Sequence, residues 1–125
     1  MARSVIIAVD DMFFVAKIRA TAEHLGVTLR SVRNLETLLN VAREGQTDII
    51  IVDLNAQKLD ALTVGQAIKS DEQLASIPLL GFFSHVQTEL RENALAAGYN
   101  LVIPRSVFSR DLGAILEGKS AGAQA

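Results

Sequence analysis

The chain has 125 residues, half of them apolar, and a formal charge of −2. That suffices for one domain with a real core and is too acidic for a general nucleic-acid binder, which needs a basic surface to neutralise phosphates. The lack of cysteine excludes a disulfide framework and a thiolate zinc site and suits a reducing cytoplasm, and every apolar run is too short and too interrupted by charge to span a membrane.

The predicted elements alternate between strand and helix. Ser4 to Val9 is a short β-branched run and reads as a buried strand, entered from Met1-Ala2-Arg3 with no cleavage site. Val15, Ile18, Ala22 and Leu25 follow at helical spacing, with Gly26 as the C-cap. Val27 to Val32 alternates apolar and polar residues, as an edge strand does. Asn34 is placed to cap a helix carrying Leu35, Leu38, Leu39 and Ala42, closed by Gly45. Asp48 to Asp53 holds four branched apolar residues in a row, which predicts a central parallel strand buried on both faces. Asp60 is placed to cap a third helix with Ala61, Val64 and Ile68 inward. Pro78 opens a strand over Leu79 to Phe83. Val86, Leu90, Ala94 and Ala97 form a fourth helical stripe ending at Gly98, and Leu101 to Ile103 is a short fifth strand. Ser106 is placed to cap a last helix with Phe108, Leu112 and Ile115 inward. Five strands and five helices with right-handed crossovers predict a flavodoxin-like (βα)5 doubly wound parallel sheet of order 2-1-3-4-5. It is expected to fill residues 1–118, with a frayed tail over 119–125.

In such a sheet, ligands bind beyond the carboxyl ends of the strands, where the strand order reverses. Asp10 and Asp11 follow the first strand and Asp53 ends the third. Three carboxylates at one sheet edge repel each other. A hard divalent cation such as Mg2+ relieves that repulsion through one or two carboxylates, a carbonyl and waters. Asp53 is then a candidate nucleophile toward phosphorus. The competing reading is plain: aspartate at a strand end also serves as an N-cap or turn residue.

Val9-Asp10-Asp11 and Ile51-Val52-Asp53-Leu54-Asn55 resemble the acidic pair and phosphoacceptor of bacterial response-regulator receiver domains of the chemotaxis type. Ile77-Pro78-Leu79-Leu80 is similar to the family's fourth strand, and Ala96-Ala97-Gly98 to the end of its fourth helix. The resemblance implies phosphorylation on Asp53 by a histidine kinase or phosphotransfer protein. It implies Mg2+ held by Asp11, Asp53, the Asn55 carbonyl, and Asp10 directly or through water. It also implies a cytoplasmic module, monomeric or weakly dimeric, that signals to an unknown protein partner and does no enzymatic chemistry beyond promoting its own phosphorylation.

Four departures from the family stand out. Arg105, in Ile103-Pro104-Arg105-Ser106, replaces the family's lysine and keeps a charge for Asp53 or a phosphoryl group, although its forked head is no like-for-like substitute. The family's hydroxyl position at the end of the fourth strand falls on Phe83. Either a bulge brings Ser84 into register, or the hydroxyl is missing and Ser84 caps the next helix. The aromatic switch position falls on Val102, with Tyr99 nearby but unassigned. The loop Ala56 to Ala61 lacks the family's Pro and Gly, and the stretch from Asp11 to Gly26 is one residue short. His24 reads as a surface residue, His85 as a rim or plain loop residue, and Phe13 and Phe14 as first-helix packing.

Two functions follow. One is a stand-alone receiver phosphorylated on Asp53. The other is a pseudo-receiver that keeps the fold and binds a partner or a second copy without phosphorylation. A third, a small flavodoxin-like ligand-binder or enzyme, finds no glycine-rich phosphate loop and few aromatic walls.

Overall fold

Strands form where branched apolar residues run unbroken. The computed structural model describes residues 3–84 and 88–119. In it, β1 (Ser4–Ala8), β3 (Ile49–Asp53) and β4 (Leu79–Phe83) occupy the middle of a five-stranded sheet, almost wholly buried. β2 (Thr28–Ser31) and β5 (Leu101–Pro104) close its edges. All strands run parallel in the order β2-β1-β3-β4-β5, as predicted.

The helices start where a short side chain can take up free N–H groups. Asp11 caps α1 (Met12–Leu25), Asn34 caps α2 (Leu35–Glu44) and Asp60 caps α3 (Ala61–Ser70). Gly26 ends α1 in the left-handed conformation, φ 71°, which glycine adopts without steric cost. α4 spans Thr88–Ala96 and buries Ala94; Val86 and His85 lie outside the described residues.

The last helix differs from expectation. Ser106 is exposed and is not the cap; Pro104 holds that position, and α5 (Arg105–Arg110) begins one residue earlier than Ser106. Proline suits a helix entrance because its φ is already set. α6 (Leu112–Leu116) follows after Asp111, and bonds from the Asp111 N–H to Val107 and the Ile115 N–H to Asp111 carry the chain across the join.

Strand alternation divides the core in two. Ile6, Ile50, Val52 and Leu79 face Leu38 of α2 and Val64 and Ile68 of α3. Ile7, Ile51, Leu80 and Phe82 face Ile18 of α1, Phe108 of α5 and Ile115 of α6. Among the described residues no helix is long and apolar enough to cross a membrane.

Candidate functional site

β1 and β3 pair in parallel with Ala8 opposite Val52, so both strands deliver their following acids to one end of the sheet. Asp53 is buried, with only 7 % of its surface exposed; among the described residues no other charged side chain is so enclosed. Burial pushes its carboxyl above the ordinary range, against the Asn55 N–H bond and the Arg105 charge that favour ionisation; the nearby charges of Asp10 and Asp11 raise it further. The Asn55 N–H donates to Asp53 Oδ1 at 2.9 Å. The Asn55 side chain in turn accepts from the Ser84 N–H at 2.7 Å, tying the end of β4 to the loop after β3.

The other two acids are engaged with neighbouring groups. Asp10 Oδ2 accepts from the Gln57 N–H at 2.9 Å and from Lys58, so it fastens the loop after β3. Asp11 Oδ1 accepts the Phe13 and Phe14 N–H groups as the α1 cap. Asp11 Oδ2 accepts from the Arg105 guanidinium at 3.0 Å. That bond, followed by the Phe14 N–H, holds the Asp11 carboxyl below the ordinary range. The Arg105 guanidinium lies 3.9 Å from the centre of the Phe14 ring, a cation–π contact that fixes its orientation. Phe14 is buried edge-on against Phe82 and Phe108, which stack on each other at 4.7 Å. Phe13, beside it, is 92 % exposed.

The oxygen donors suit a hard cation chemically, but Asp10 and Asp11 are already engaged with other groups. Among the described residues no group of three His, Cys, Asp or Glu side chains is placed to hold a metal. Asp10 is turned to a loop, and Asp11 to a helix start and a guanidinium. Arg105 directly pairs with Asp11; Asp53 feels it only as a nearby charge. The bulge that would shift Ser84 does not form. Register runs unbroken, with Asp53 opposite Phe82, Phe82 opposite Ile103 and Phe83 opposite Pro104. Phe83 packs with the α2–α3 core, while Ser84 is exposed and engages the site through its backbone. Val102 is buried, and buried Tyr99 donates its hydroxyl to the Ala61 carbonyl at 2.8 Å, with burial pushing its pKa up.

A family model described as response regulator receiver domain matches residues 5–117. The polar-differentiation response regulators DivK of Brucella ovis and Brucella abortus (strain S19) are 33% identical over 81 residues, covering 64% of this chain and 65% of theirs, just under two thirds of the curated relatives' length. Among solved structures, chemotaxis protein CheY4 of Vibrio cholerae superposes with a TM-score of 0.82 at 17% identity, covering 96% of this chain and all of that one. The receiver domain of the sensor histidine kinase PA1611 from Pseudomonas aeruginosa, solved with a magnesium ion coordinated in its active site cleft, superposes with a TM-score of 0.80 at 21% identity, covering 94% and 97%. The structural likenesses support the fold.

Proposed function

The chain belongs to the response regulator receiver domain family, and from that premise we propose that Asp53 accepts a phosphoryl group from a histidine kinase or phosphotransfer protein and that the signal leaves by contact with an output protein. Receiver domains act in two-component signal transduction, and in general they bind Mg2+ in the active site. One observation carries the reading for this chain: a lone enclosed carboxylate, Asp53, at the carboxyl end of the central strand where the sheet order reverses.

The chemistry asked of it is modest. An Asp53 carboxylate oxygen attacks phosphorus on the donor's phosphohistidine. The O–P bond forms as the P–N bond breaks, and the imidazole leaves with the electron pair and takes a proton from water. A carboxyl raised by burial is the more basic nucleophile once ionised. Arg105 supplies positive charge nearby. The exposed Phe13 and Met12, directly after the acids, offer an apolar surface to the phosphodonor. Beyond promoting this transfer to itself, the chain has no enzymatic role in this reading. The test is intact-mass measurement after incubation with acetyl phosphate, with and without Mg2+. A gain of one phosphoryl group in wild type and none in Asp53→Ala is expected. No gain in wild type under either condition, or an equal gain in the variant, sinks the reading.

The pseudo-receiver remains the second reading because Phe83 stands where the family places a hydroxyl and Arg105 is engaged with Asp11. It expects partner binding that is the same for wild type and Asp53→Ala.

A further inference from the structure

We propose that Arg105 is the resident counter-ion of the acidic site and that it competes with divalent cations for Asp11. The inference does not depend on whether Asp53 is phosphorylated.

The geometry leaves Asp11 little freedom. α1 begins at the very next residue, so Asp11 is the N-cap, and one oxygen is occupied by two N–H groups. Its other oxygen is the one that Arg105 takes at 3.0 Å. Arg105 is itself restrained from two sides. Pro104 sets the backbone at the start of α5, with φ −64°, and the planar guanidinium lies against the Phe14 ring. Phe14 cannot retreat, since Phe82 and Phe108 pack against it in the core. Two restraints thus hold one positive charge against the carboxylate that a metal would need.

Electrostatics sets the sign of the consequence. A dication placed on Asp11 meets a guanidinium already at that oxygen, and like charges a few ångströms apart repel. Either the cation stays out or the guanidinium leaves both Asp11 and the Phe14 face. An ammonium on a flexible stem yields more easily than a stacked planar fork.

The experiment is a Mn2+ titration followed by the EPR signal of the free ion, with Mg2+ as competitor. It uses wild type, Arg105→Met and Arg105→Lys, each checked for folding by circular dichroism. Met keeps apolar cover over Phe14 without the charge; Lys keeps the charge without the fork. Arg105→Met should bind Mn2+ about two- to fivefold more tightly than wild type, the scale of one partly exposed ion pair. Arg105→Lys should fall between. The gain should vanish in the Arg105→Met, Asp11→Asn double variant. Wild-type affinity equal to or greater than that of both variants overturns the proposal. A gain that survives Asp11→Asn overturns it too, because the competition is then not at Asp11. The titration uses unphosphorylated protein, so its outcome is independent of the phosphorylation test read by mass.

Discussion

At Asp53 the dominant force is loss of water, more than crowding by like charges. Burial raises its carboxyl first, and the charges of Asp10 and Asp11 add to that. A group whose folded pKa lies above its unfolded value of 3.8 binds its proton longer when folded. It adds stability at low pH, and that stability is lost as pH rises through the raised folded value. At neutral pH the folded chain therefore carries the full cost of an enclosed charge. Asp53→Asn keeps an oxygen for the Asn55 N–H and removes the charge. It should raise the melting temperature at pH 7 by ~3–6 °C, an advantage over wild type that shrinks toward acid pH, where wild-type Asp53 takes up its proton. A lower melting temperature would mean that Arg105 already compensates Asp53 in full. The positions of the three acids at one sheet end were legible in the sequence, because strand ends and the switch point follow from pattern. Their partners were not. Arg105 and Asp11 stand 94 residues apart, and only the folded sheet brings the end of β5 beside the start of α1.

Elements were legible wherever their signal was local. Asn34 caps α2 through the Thr37 N–H at 2.8 Å, Gly26 closes α1, and β4 has its expected bounds. Asn34→Ala should cost about 1 kcal/mol, a common value for a lost N-cap, measured by urea titration. What pattern could not show is close approach between elements. Gly65 sits in α3, where propensity alone says that alanine stabilises by ~1 kcal/mol. A Cβ there would lie 2.9 Å from the Ala97 carbonyl oxygen and 3.0 Å from the Tyr99 ring. The carbonyl is backbone and Tyr99 is anchored to Ala61 by its hydroxyl, so neither yields readily. Overpacking of this kind costs ~1–3 kcal/mol and outweighs the propensity gain. Gly65→Ala should lower the urea midpoint; a higher midpoint would show that α3 shifts freely against the chain beyond α4. The entrance of the last helix escaped the pattern for a related reason. Ser106 looks like a cap in isolation, but Pro104 had already fixed the turn one residue earlier.

Across the whole molecule the two cores have different relations to the site. Residues alternate along β3, so Asp53 follows Ile51 onto the face shared with α1 and α5. Phe82, opposite Asp53 in the register, supports Phe14, and Phe14 carries Arg105. Leu38 lies in the other core and touches none of this chain of contacts. Both side chains are fully enclosed. Phe82→Ala should cost ~3–5 kcal/mol and Leu38→Ala ~2–5 kcal/mol, large shares of the 5–15 kcal/mol that hold a typical domain together. Urea titration should show both midpoints falling with an unchanged slope. Stability alone therefore does not separate them, but the Asp11 carboxyl does. Arg105 holds it below the ordinary range, and the guanidinium keeps its place only while the Phe14 ring does. In a carbon-detected NMR titration, Phe82→Ala should let the Asp11 pKa rise toward 3.8, and Leu38→Ala should leave it low. Equal behaviour in the two variants would show that the Arg105–Asp11 pair stands on its own, without support from the aromatic core beneath it.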